Sequence, residues 1–214
     1  MSEATSTERE SHEVATASDK IKTGFDNPVL GSQSVFRQLL KSMSEPGIQS
    51  KIEPIKAYPN VLYPASYVIA LGLFDQDTPV FLSKSLQSPE NLATLRFQVS
   101  LSATDNPIDA DFVVCDQDEM PSLNTLNLGN EEYPDQSCTL IIQCNSFEEG
   151  EPYRATGPGI ESSRIIQCSG LNKTLFEQRE QIFSQFPLGI DIIFTHKNKF
   201  FCLPRTTRLE QVMH

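Results

Sequence analysis

The chain has 214 residues, 38% of them hydrophobic, with 13 Phe, no Trp and a formal net charge of −11. That length suits one domain of about 150–200 residues plus a tail, and no apolar run approaches the roughly 18–20 residues that cross a bilayer. From Leu101 to Glu151 there is no Lys or Arg, and so acidic a stretch repels nucleic acid and anionic lipid, so neither is expected as a partner.

Residues 1–25 are rich in Ser, Thr, Glu and Ala and poor in large apolar side chains. Such a segment cannot bury enough surface to offset the entropy of ordering, so it is expected to be a disordered extension, with residues 26–214 forming one α/β domain. Ser32 or Ser34 can cap a helix running to about Met43, with Val35, Leu39, Leu40 and Met43 on its apolar side and Pro46-Gly47 ending it. A second helix is expected from Pro64 or Ser66 to Phe74. Asp75-Gln76-Asp77 then turns the chain into a strand over 78–83. Ser88-Pro89-Glu90 opens a third helix, with Ser as cap, Pro at its first position and Glu at the positive end of its dipole.

Residues 110–115 and 138–144 read as strands rich in β-branched side chains, and 152–156 as a return strand after a polar turn at 145–150. A longer helix is expected over 173–186. Residues 190–195 and 200–203, joined by a polar turn at 196–199, read as a hairpin. Alternating helices and strands with hairpins among them predict an α/β fold with a mixed sheet.

The chemistry carried by these elements is sparse. The three histidines are His12, His196 and His214, which excludes multi-histidine metal sites and leaves His196 as the one candidate base for a Ser-His or Cys-His pair. The five cysteines, Cys115, Cys138, Cys144, Cys168 and Cys202, are odd in number and none has Cys-x-x-Cys spacing. They read as small hydrophobes in a reducing compartment. With no apolar segment of the signal-peptide kind near the start, a soluble cytoplasmic protein is expected. Gly157-Pro158-Gly159 looks like an anion loop, but Pro158 lacks the N–H such a loop needs there, so a tight turn is the better reading. The many carboxylates show no spacing that selects an acid–base pair. From its residues alone, the chain does not look like a self-sufficient enzyme.

Several segments carry a resemblance in their order and separation: Phe36 to Gly47 (FRQLLKSMSEPG), Asp77 to Leu82 (DTPVFL), Leu95-Arg96-Phe97, Tyr133-Pro134, Thr156 to Ile160 (TGPGI), Phe186 to Asp191 (FPLGID) and Leu203 to Thr207 (LPRTT). Together they resemble the PhnH family, the H subunit of the bacterial carbon–phosphorus lyase core complex. The resemblance implies a three-layer mixed sheet with helices on both faces, a reduced pyridoxal-phosphate-dependent transferase fold without the cofactor. It further implies homodimers assembled with G, I and J subunits. With an L subunit, that system transfers a phosphonate to C1 of the ATP ribose and displaces adenine. No cofactor and no metal of its own is implied. The alternative is a cofactor- or nucleotide-binding enzyme acting alone, for which Lys84 is the one lysine placed to suggest a Schiff base.

Within the matching segments, Arg37, Arg96, Asp191, Arg205, Thr206 and Thr207 are the candidates for ligand binding or an interface. Arg37 lies beside an apolar helical stripe, where a cation pairs with a carboxylate or faces a cleft. Arg205, fixed by Pro204 and followed by two hydroxyls, suits a phosphate or carboxylate, or else an ion pair with Asp191 from the partner strand. Pro46, Gly47, Gly157, Gly159, Pro187 and Gly189 are expected to shape the backbone. Gln98 stands where some family members are expected to carry His.

Overall fold

In the computed structural model, residues 21–53 and 55–212 are described. The elements are α1 (Pro28–Ser44), β1 (Ser50–Lys51), α2 (Pro64–Leu73), β2 (Pro79–Leu82), α3 (Pro89–Val99), β3 (Ser102–Ala103), β4 (Phe112–Asp116), β5 (Thr139–Gln143), β6 (Tyr153–Thr156), β7 (Arg164–Ile166), α4 (Lys173–Phe183), β8 (Asp191–His196), β9 (Lys199–Leu203) and β10 (Arg208–Gln211). Seven strands form one mixed sheet in the order β1-β9-β8-β5-β4-β2-β3, and three form a small antiparallel sheet, β10-β6-β7. In the large sheet β3, β2, β4, β5 and β8 run parallel, with β9 and β1 added antiparallel at one side.

The register explains why the strands read as nearly continuous apolar runs. Leu82, Val114, Ile141, Ile193 and Cys202 are aligned across five strands, and all belong to the core shared with α1, α2 and α3. The neighbouring row, Val113, Leu140, Ile192 and Leu203, points the other way into a second core with α4 and the small sheet. A strand covered on both faces has no polar side to alternate with. The layers are therefore helices α1–α3, the large sheet, and then α4 with the small sheet.

Three expectations need correction. Helix α1 begins at Pro28, not at Ser32 or Ser34, because Asn27 caps it through Leu30 N–H (3.1 Å) and Pro28 supplies the preset first turn. The strand over 152–156 does form as β6, but it does not return beside β5. It joins β7 and β10 in the small sheet, which the short, mixed-polarity segments 164–166 and 208–211 gave little sign of. Helix α4 stops at Phe183, short of Pro187, which disfavours helical geometry in the residue before it. The expectation for residues 1–25 lies, for residues 1–20, outside the described residues. Lys22 and Thr23 pack on the body: Lys22 N–H donates to Thr94 Oγ1 (3.3 Å), Gln98 Nε2 to the Lys22 carbonyl (2.8 Å) and the Tyr67 hydroxyl to the Thr23 carbonyl (3.2 Å).

Two glycines join the end of α1 to the small sheet. Gly159 has φ +81°, and a Cβ there would run into the Ser44 carbonyl oxygen. Gly47 has φ +77°, and a Cβ there would come within 2.6 Å of Ile166. Arg164 Nη1 adds a hydrogen bond to the Pro46 carbonyl. Replacing Gly159 with Ala adds left-handed strain and a clash with backbone that cannot rotate away. Gly159→Ala is expected to lower unfolding stability by about 2 kcal/mol or more, read from urea titrations with the slope unchanged.

Candidate functional site

The sequence candidates separate into three places. Arg37 and Arg96 are exposed on α1 and α3. Arg37 meets no carboxylate and no cleft among the described residues, and its guanidinium reaches only Gln33 Oε1, at 3.4 Å. Asp191, Arg205, Thr206 and Thr207 come together where β8 begins. Arg205 Nη2 donates to Asp191 Oδ2 (2.7 Å), Arg205 N–H to Asp191 Oδ1 (2.7 Å), and Arg205 Nη1 to the Pro134 carbonyl. Gly189 abuts the Arg205 side chain, and the Phe186–Pro187 bond just before it is cis. Gly157 has φ +136° and lies against the Thr206 carbonyl. The ion-pair side chains are 17% and 23% exposed, and the Arg205 donors are directed to protein acceptors.

Arg179, which sequence reasoning missed, organises this corner from beneath. It is buried on α4 and donates to the carbonyls of Ile190 (3.3 Å), Pro204 (2.6 Å) and Thr207 (3.0 Å). Burial pulls its pKa down to about 10, with Asp191 and Glu180 opposing, so it stays charged at neutral pH. Its spacing was a usable signal: Leu175, Arg179 and Ile182 share the inner face of α4, and an Arg in line with buried apolar residues needs partners. Thr207 is itself buried, and its hydroxyl makes no hydrogen bond among the described residues.

The second place is the opposite, carboxyl edge of the sheet. The connection from β2 passes through α3 to β3 on one side, and β4 lies on the other. In open α/β sheets the crevice outside the strand ends at such a reversal is where ligands bind. Here the chain fills it. Buried Gln143, ending β5, donates to Asp116 Oδ1 (2.8 Å) and the Val61 carbonyl (3.0 Å) and accepts from Tyr63 N–H (2.6 Å). Ser85 Oγ donates to Asp116 Oδ2 (2.6 Å), and Ser85 N–H to Glu119 Oε2 (2.8 Å). Lys84 is exposed beside this network.

A cleft also opens beside β8. It has a volume of about 540 Å³ and is lined by Tyr63, Phe147, Glu148, His196 and Lys199 among others. His196 Nδ1 lies 2.8 Å from the Cys144 carbonyl. Because a carbonyl only accepts, Nδ1 carries the proton and Nε2 is left for other partners. The ring packs against Tyr63 and Phe147 (centroids 5.9 and 5.6 Å). Lys197, at the tip of the β8–β9 hairpin, has φ +52° and is held there by Ala65 N–H donating to its carbonyl (2.9 Å). Among the described residues the His196 ring bonds only to backbone, through Nδ1, and no hydroxyl or thiol lies in hydrogen-bond contact with it to form a nucleophile–base pair. All five cysteines are free and buried. Burial pushes the thiols of Cys138 and Cys202 up to about 12 and that of Cys115 higher still, and a hydrogen bond with the Cys168 thiol, together with burial, raises Cys144 strongly as well. These thiols are unreactive hydrophobes. Among the described residues no three His, Cys, Asp or Glu side chains come together in a way that could hold a metal ion, and no helix is long and apolar enough to cross a membrane.

With this geometry in place, comparison with known proteins is decisive. The profile of the family described as "Bacterial phosphonate metabolism protein (PhnH)" matches residues 23–210. The chain belongs to the PhnH family. It is similar to the alpha-D-ribose 1-methylphosphonate 5-triphosphate synthase subunit PhnH of Rhizobium meliloti (strain 1021), with 35% identity over 198 residues, covering 92% of this chain and 99% of the relative. It is also similar to the putative C-P lyase subunit protein HtxG of Stutzerimonas stutzeri, with 30% identity over 178 residues, covering 83% and 85%. The PhnH match runs through every strand of the large sheet and through both the Arg205 corner and the His196 cleft.

Two outcomes follow from the polar networks. Arg179→Met keeps the volume but strands two buried carbonyls and the part-buried one of Pro204, so it should cost about 3 kcal/mol or more, whereas Arg205→Met, at a partly exposed pair, should cost about 1 kcal/mol. Urea unfolding of both variants ranks them. At the carboxyl edge, the Ser85 backbone N–H, then the Ser85 and Ser83 hydroxyls, hold the Glu119 carboxyl below its ordinary value. A folded pKa below the unfolded one contributes stability above the unfolded pKa that fades as pH falls through the folded value. Glu119→Gln should therefore lower the neutral and alkaline part of the stability–pH curve slightly, converge with wild type at low pH and so flatten the acid limb, read from urea unfolding across pH.

Proposed function

We propose that this protein is the H subunit of a carbon–phosphorus lyase core complex, acting in phosphonate catabolism. In this reading it supports the transfer of a phosphonate to C1 of the ATP ribose with loss of adenine, and catalyses no step alone. The observation that carries it is the PhnH match over residues 23–210, joined to two relatives whose names both place them as subunits. The geometry agrees. The crevice where an open α/β sheet would take a nucleotide is occupied by the Gln143–Asp116–Ser85 network, and the candidate arginine at the amino edge is engaged with Asp191.

In the same proposed role, G, I and J subunits are its partners, a second copy forms a homodimer with it, and the cytoplasm is its compartment. Its architecture is a reduced pyridoxal-phosphate-dependent transferase fold lacking the cofactor. The large mixed sheet between helical layers supports that comparison, and Lys84 lies exposed just after β2.

A second reading, a small-molecule or nucleotide binder acting alone, is favoured by one observation: His196 presents Nε2 beside the polar cleft. Co-expression with tagged G, I and J subunits separates the two. A four-component assembly at defined mass, with ATP leaving the melting temperature of the isolated chain unchanged, is the expected result. A chain that stays alone, and whose melting temperature rises with ATP but not in His196→Gln, would overturn the subunit reading in favour of the second.

A further inference from the structure

Helix α1 has two apolar faces, and the described residues cover only one. Val35, Leu39 and Ser42 are buried against the layer below. Val29, Phe36 and Leu40 fall on one line along another face, at spacings of seven and four residues. They are 65%, 49% and 54% exposed, and Leu30 at the margin is 63% exposed. Scattered exposed apolar residues need no explanation, but a row of large ones along one helix marks an interaction site.

The charges on the same helix give the partner's character. Its 17 residues contain no Asp or Glu, in a chain whose net charge is −11. Its cations are Arg37 and Lys41, one turn apart on the flank of the stripe that Leu30 shares. Neither forms an ion pair among the described residues. An apolar line edged by cations fits an apolar surface edged by carboxylates. A second copy of α1 does not offer that: two-fold antiparallel pairing sets equivalent flanks side by side, so both copies of Arg37 and Lys41 would crowd one rim. Phe36 beside Arg37 also supplies the aromatic and guanidinium types that dominate binding energy at interface centres.

We propose that the Val29–Phe36–Leu40 face of α1 is the surface through which this protein docks onto another subunit of the complex, one presenting an apolar groove rimmed by carboxylates. This rests on the subunit reading above and assigns it a surface. The test uses the full chain co-expressed with tagged G, I and J subunits, as wild type, as the Phe36→Glu/Leu40→Glu double variant and as the Arg37→Glu/Lys41→Glu double variant. All four positions are exposed, so circular dichroism and the melting temperature should match wild type in both, which certifies folding. Capture of each variant should fall by on the order of tenfold or more, and wild-type capture should weaken as salt is raised. Both variants captured as well as wild type would overturn the proposal while leaving the subunit reading intact. If capture is lost and the isolated variants also change from dimer to monomer, the face belongs to a second copy and the hetero-subunit assignment falls. If wild type itself is not captured, the subunit reading fails first and takes this surface with it.

Discussion

A sheet whose central strands are apolar on both faces cannot stand in water, and this constraint orders the rest of the molecule. The row Leu82–Val114–Ile141–Ile193–Cys202 needs cover on one side and the row Val113–Leu140–Ile192–Leu203 on the other. The first is met by the helices before and after β2, that is α1, α2 and α3. The second has only one long helix available, α4, and the remainder of its cover comes from the small sheet and from leucines of the 117–138 connection such as Leu123 and Leu126. Burial on this scale, at about 25 cal/mol per Å² of apolar surface, is the dominant favourable contribution to folding. The sparse catalytic inventory sits around a frame selected for packing.

Where this cover is made of loops, backbone polar groups have to be satisfied without regular structure. Arg179 does so at the amino edge. One guanidinium bonds the carbonyls of three residues, Ile190, Pro204 and Thr207, which fixes the start of β8 and the turn after β9 in a single arrangement. Arg205 and Asp191 then close the corner from the outside. A buried charge bonded to carbonyls contributes less net stability than its bond count suggests, because desolvation opposes it. Its effect is geometric: it forbids other dispositions of that turn. The pairing of Arg205 with Asp191 follows from the same geometry, since Ile192 opposes Leu203 in the register and puts residues 191 and 205 at one edge.

Much of this was legible in the residues. The α/β class, the β8–β9 hairpin, the strands at β4 and β5, and the third helix with its Ser88 cap all follow from local chemistry, and the structure has Ser88 Oγ accepting from Asn91 N–H. What escaped was non-local. Nothing in Tyr153–Thr156 says that it will leave β5 for β7 and β10, because strand pairing depends on partners far along the chain. Asn27, Ser32 and Ser34 are equally good caps in isolation, and the arrangement of Asn27 directly before Pro28 decides in its favour. Of the candidate site residues, the sequence grouped Asp191 with Arg205 correctly as neighbours, and it grouped Arg37 and Arg96 with them only by charge. Arg179 is legible only through its spacing with Leu175 and Ile182 on one face of α4, and Gln143, a Gln ending an apolar strand, reads as solvent-facing until the layers above it are known.

The two edges of the large sheet together bear on how such a chain acts. At the amino edge the cations are engaged by Asp191 and by backbone carbonyls. At the carboxyl edge a satisfied buried amide, Gln143, staples the Val61–Tyr63 segment across the strand ends, and the His196 cleft opens to the side of it. Polar groups so fully bonded to one another are poor hosts for a substrate, because each ligand contact would first have to break an internal one. In the subunit role proposed above, the rigidity this gives the protein would serve to hold other chains in place. Its unspent interaction capacity lies instead on the outside, in an acid-free helix with a bare apolar face on a strongly acidic molecule, where association costs no internal bond.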